Sequence, residues 1–145
     1  MGRNVAIGIQ NFNQIIENNY FYVDKTAFIK EWWDSGDSVT LITRPRRFGK
    51  TLNMSMVEQF FSVEYANRSD LFEGLDIWKE KEYREIQGTY PVISLSFADV
   101  KSKSMMGTRK TICKIIKLLY DKYDFLLNCD VLSDSEKQDF RSVAV

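Results

Sequence analysis

TRPRRFGKTL, residues 43–52, is the stretch on which the reading of the fold turns. Its second half closes on Gly49-Lys50-Thr51, as a phosphate-binding loop of the form G-x-x-x-x-G-K-[ST] closes. Its first half departs from that form. Five positions before Gly49, where the pattern opens with glycine, stands Arg44, followed by Pro45. A residue before proline is held extended, so a rigid bend takes the place of a free one. A Gly-Lys-Ser/Thr triplet arises by chance in about one chain of this length in fifteen, so the flanking sequence has to carry the reading.

Upstream, Ser38-Val39-Thr40-Leu41-Ile42-Thr43 is rich in β-branched residues and bounded by Gly36-Asp37 and Pro45, which predicts a strand. Downstream, residues 50–61 contain no Gly or Pro, and Leu52, Met56, Val57, Phe60 and Phe61 recur at helical intervals. Strand, loop, helix is the setting in which loop amides point at a bound anion. The chemistry then distributes roles. Gly49 lets the backbone turn and approach a ligand closely. Lys50, the candidate catalytic residue, brings a point charge to the β- and γ-phosphates, and Thr51 offers a hydroxyl to Mg²⁺. Amides from about Arg47 through Phe48 to Leu52 would cradle phosphate oxygens, whereas Pro45 has no N–H to give. Arg46 and Arg47 add local positive charge. The same basic loop, residues 44–50, could equally grip a nucleic-acid backbone, with Phe48 as a stacking surface.

Further out, composition narrows the classes. The 145 residues are 44% hydrophobic and 14% aromatic, suited to one ordinary folded domain. Twenty basic residues balance twenty acidic ones, so a basic site has to be local. There is no histidine, which removes Ser-His-Asp and Cys-His arrangements and His-ligated metals together. Cys113 and Cys129 lack a second pair or a histidine to complete a zinc site and read as small hydrophobes or free thiols. No apolar run approaches the roughly 18 residues of a spanning helix, and the expectation is a soluble, cytoplasmic protein without a membrane partner.

Elsewhere, residues 12–17 and a helix from Lys25 to about Trp33 are amphipathic, the latter capped by Asp24 and ended by Gly36. Residues 69–87 read as short helical turns with Leu71, Phe72, Leu75, Ile77 and Trp78 inward. VISLSF, residues 92–97, predicts a second strand. A long helix from about Ser104 to Tyr123 sets Ile112, Ile115, Ile116 and Leu119 against a face of Lys110, Lys114 and Lys117. Ser133 and Glu136 form a capping-box pattern before a last helix.

YVDKT (22–26), TRPRRFGKTL (43–52), LFEGLDI (71–77) and YPVISLSF (90–97), in that order, resemble the N-terminal part of the predicted AAA-ATPase-like family of bacterial P-loop proteins, often found ahead of a nuclease-like domain. The arginine-rich loop is characteristic of that family. The resemblance implies an ATP-binding α/β core, a parallel sheet flanked by helices, in which Gly49, Lys50 and Thr51 hold phosphates and Mg²⁺. It also sets Asp24-Lys25-Thr26 near the nucleotide, although capping alone explains Asp24. The acidic Walker B strand of the family has no clear counterpart, Asp99 being the nearest candidate. Residues 1–145 are therefore expected to be the N-terminal part of such a domain, with the P-loop at 44–51, cut before Walker B. Its incomplete sheet would suit a homodimer. ATP hydrolysis, and any nucleic-acid partner, would belong to the longer parent, with little turnover in this chain alone.

Overall fold

The computed structural model describes residues 2 and 4–144. Where apolar residues recur at helical spacing, helices form: α1 (Phe12–Glu17), α2 (Ala27–Ser35), α3 (Lys50–Phe61), α4 (Lys81–Ile86), α5 (Met105–Lys122) and α6 (Asp134–Ala144). Four 3₁₀ turns, Val63–Tyr65, Ser69–Leu71, Asp76–Lys79 and Asp124–Asn128, connect them. Gly36 ends α2 in the left-handed conformation, φ 63°, as its position predicts. The chain divides into two units, Met1–Ile93 and Ser94–Val145.

The first unit is built on aromatic packing. Phe12 of α1, Ile29 of α2 and Met56 and Phe60 of α3 are fully buried, together with Phe72 from the turns that follow. Phe72 stacks on Phe12 at 5.2 Å between ring centroids and meets Phe60 edge to face at 5.0 Å. Trp33 of α2 stacks on Phe61 at 5.2 Å. As the sequence predicts for residues 69–87, Leu71, Phe72 and Ile77 point inward, and Leu75 and Trp78 pack against the same core. These contacts fix α2 and α3 relative to each other, and residues 36–49 join them.

The parallel sheet is not formed. Among the described residues, strand pairing amounts to isolated parallel bridges, Val5 with Phe21 and Ser62 with Tyr90. Residues 38–43 and 92–97 are irregular and carry no ladder. Val39 and Leu41 are 86% and 83% exposed, and Ile93 is 69% exposed. An α/β core with a flanked sheet is thus replaced by a helical fold. A strand is stabilised by hydrogen bonds to a neighbour, and neither segment lies alongside one. Residues 38–43 are tethered from the side instead, the Trp32 indole donating to Thr40 Oγ1 at 3.0 Å.

The second unit consists of α5 packed on α6, with the rings of Tyr120 and Phe140 4.7 Å apart. Ser104 caps α5, its Oγ accepting from the Gly107 amide at 3.1 Å. The capping box predicted for α6 is present: Ser133 N–H donates to Glu136 Oε2 at 2.8 Å, and Glu136 N–H returns to Ser133 Oγ at 3.4 Å. The Ser133 N–H and the Ser133 hydroxyl, both donating to Oε2, hold the Glu136 carboxyl below its ordinary value. Lys110, Lys114 and Lys117 are exposed, as expected for a solvated face. Asp99 lies in a turn at residues 98–99 of this unit, also exposed. Cys113 and Cys129 are free thiols, Cys113 exposed.

Candidate functional site: the loop ahead of α3

The expected loop-to-helix junction is in place, although the strand before it is not. Gly49, φ 72°, is the residue immediately before α3, and Lys50 is the first residue of the helix. The first helical hydrogen bond is Asn53 N–H to Gly49 C=O, 2.9 Å. The amides of Gly49, Lys50, Thr51 and Leu52 thus precede any intrahelical acceptor, and among the described residues no side chain caps them. Twelve residues of aligned peptide dipoles add partial positive charge at the same end. Arg47 is also left-handed, φ 68°. For a residue with a Cβ that conformation costs about 1–2 kcal/mol, and here it lets the chain turn tightly between Pro45 and Gly49.

Lys50 folds back across the loop. Its Nζ donates to the Arg44 carbonyl at 2.6 Å, so the ammonium is held at the loop while still in reach of solvent. Arg44, Arg46, Arg47 and Phe48 are exposed. Two hollows flank the junction. One, of about 360 Å³, is lined by Lys25, Phe28, Glu31, Ile42, Arg44, Phe48 and Lys50, among others. The second, of about 730 Å³, lies between residues 6–10 and Arg46, Arg47 and Gly49 to Leu52. The structure thus brings Arg46, Arg47, Phe48, Gly49, Lys50, Thr51 and Leu52 around one helix end. It also brings in residues 6–10, whose sequence carries no motif that would have pointed to them.

Asp24 sits differently. Its Oδ1 accepts from Thr26 N–H at 2.8 Å and from Thr26 Oγ1 at 2.6 Å, and its Oδ2 accepts from Asp76 N–H at 2.7 Å. Thr26 is fully buried, and its hydroxyl oxygen accepts from Ile77 N–H at 3.1 Å. YVDKT and LFEGLDI, two separate stretches of the sequence, are therefore joined as a clamp. Partial burial pushes the Asp24 carboxyl up, but the Thr26 and Asp76 hydrogen bonds and the nearby Lys79 ammonium outweigh it, leaving Asp24 below its ordinary 3.8. Burial likewise drives the Tyr22 phenol up to about 12, offset in part by the Lys25 amide and reinforced by Asp24.

A lowered folded-state value means that Asp24 contributes stability above the unfolded pKa and loses it as pH falls through the folded one. In urea melts run from pH 7 to pH 3, the wild type is expected to weaken below about pH 4. Asp24→Asn should start about 1 kcal/mol less stable, the value for a charged hydrogen bond discounted for its solvent access. The gap between the two proteins should close toward pH 3. A gap independent of pH would show that the carboxylate charge is not what the clamp uses.

A profile of the family described as "Predicted AAA-ATPase" matches residues 6–144, and the chain belongs to that family. It is 35% identical over 96 residues to an "Uncharacterized protein in vnfD 5'region" of Azotobacter chroococcum mcd 1. That match covers 66% of this chain and 17% of the relative, so the chain spans a small part of the relative's length. No solved structure matches. Among the described residues, no helix is long and apolar enough to cross a membrane.

Proposed function

We propose that the first unit binds ATP through its polyphosphate at the N-terminus of α3, with Mg²⁺ held in part by the Thr51 hydroxyl. The observation that carries this is the set of amides from Gly49 to Leu52, uncapped among the described residues, with the Lys50 ammonium held on the Arg44 carbonyl of the same loop. Orphan N–H donors, a helix end and a nearby cation are the donor set that phosphate oxygens require and that a neutral or cationic ligand would not satisfy. Thr51 is exposed, at the second position of the helix. Among the described residues, no cluster of three or more Asp, Glu, Cys or His side chains gathers as a metal site. Thr51 is therefore the only metal ligand this reading names. When bound, Mg²⁺ would neutralise phosphate charge beside that hydroxyl.

Calorimetric titration with Mg²⁺-ATP tests the reading. The wild type should bind, and Thr51→Ala should lose about tenfold in affinity with Mg²⁺ present and little in its absence. Equal heats from wild type, Thr51→Ala and Lys50→Ala would reject the site. A nucleic-acid reading has one observation of its own, the Phe48 ring, 58% exposed on a loop that also carries Arg44, Arg46 and Arg47. It is favoured if single-stranded DNA binds with a steep salt dependence and ATP fails to displace it.

A further inference from the structure

Lys25 has no assigned role in the ATP site, yet the fold delivers it there. A Cβ built on Gly49 would lie 3.9 Å from Lys25 Nζ. The lysine comes from the segment just ahead of α2 and reaches the loop at Gly49, the residue immediately before α3. Its backbone is fixed on both sides. The Lys25 amide donates to the Tyr22 hydroxyl at 3.3 Å, and that hydroxyl donates to Met56 Sδ of α3 at 3.2 Å. The neighbours on either side, Asp24 and Thr26, are bound to the Asp76 and Ile77 amides. A long, costly-to-order side chain thus starts from a rigid platform. Among the described residues, its ammonium has no hydrogen bond or ion pair, whereas the ammoniums of Lys30 and Lys79 are paired with Glu80 and Asp76.

The smaller hollow beside the loop has Lys25, Lys50 and Arg44 among its lining residues, against a single acidic one, Glu31. Three cations facing one anion suit a ligand carrying several charges along its length. One phosphate at the α3 amides would not need all three.

We infer that Lys25 is a second phosphate-binding cation of this site, reaching a polyphosphate chain from the segment ahead of α2. This rests on the ATP reading above and adds a residue and a selectivity to it: the site takes a phosphate chain in preference to a single phosphate. The contact is with phosphate, and the base is not involved.

The test is calorimetry on the full chain with Mg²⁺-ATP and with inorganic tripolyphosphate, comparing wild type, Lys25→Met and Lys25→Arg. Methionine keeps the apolar stem and removes the charge. Because the side chain is exposed, the melting temperature should not move. Loss of one charge-assisted contact is expected to weaken both ligands about tenfold, by the same factor, with arginine restoring most of it. Undiminished binding by Lys25→Met overturns the inference while leaving the ATP site standing. So does a loss for ATP with none for tripolyphosphate, which would put the lysine on the nucleoside. A wild type silent to both ligands rejects the nucleotide reading itself, and the role of Lys25 with it.

Discussion

Gly88→Ala is expected to lower the melting temperature of the first unit by roughly 10–20 °C. The position demands glycine twice over. Its φ is 67°, a region costing a residue with a Cβ about 1–2 kcal/mol. A Cβ there would also lie 2.4 Å from Ala66 Cα and 3.0 Å from Ala66 N, which are backbone atoms that no rotamer change can clear. The alternative is to move the chain, and the chain is tied down. Gly88 N–H donates to Phe60 C=O at 2.8 Å, Tyr90 N–H to Phe61 C=O at 2.9 Å, and Val63 N–H to Tyr90 C=O at 2.9 Å. Relieving the clash breaks some of these bonds and pulls on Phe60 and Phe61, both in the core. Strain and disrupted packing together come to about 3 kcal/mol or more. Thermal melts by circular dichroism would check this, and a drop below about 4 °C would mean that the 63–66 turn yields easily.

The second large effect is on binding. Lys50→Ala is expected to weaken Mg²⁺-ATP about a hundredfold while leaving the melting temperature within a few degrees. The lysine sits at the first position of α3, where alanine is also an excellent helix former. Its one recorded hydrogen bond is to a loop carbonyl, which water can satisfy in its place. What is removed is a charge-assisted contact in a half-enclosed site, worth about 2–3 kcal/mol. Lys50→Arg should recover only part, since a planar fork does not reproduce a point charge at the same reach. Affinity unchanged in Lys50→Ala would mean that the ammonium stays on the Arg44 carbonyl whatever is bound.

The sequence carried the helices because a helix is a local object. Leu52, Met56 and Phe60 lie on one face by spacing alone, and Ser133 with Glu136 announces its own start. A strand is not local. The residues of 38–43 have every preference for extended structure, but pairing depends on what lies beside them, and sequence preference says nothing of that. The site was legible in part for the same reason. Gly49 and Lys50 are contiguous with the helix they open. Lys25 reaches the loop from the segment ahead of α2, and in sequence it looked like one more helical surface residue. Its only signal was its membership of YVDKT. Asp24 was expected to cap a helix from Lys25, but the helix begins at Ala27 behind Thr26, and Asp24 instead binds the Thr26 amide and the Asp76 amide, the latter 52 positions away.

Those bonds from residues 24 and 26 to residues 76 and 77 span the irregular, largely exposed 38–43 segment, one place where a protease of suitable specificity can cut. Cleavage there severs the peptide chain but not the association, since the aromatic core and the clamp both cross the break. A nicked chain should therefore elute from a sizing column as one particle, and separate into two pieces only in denaturant.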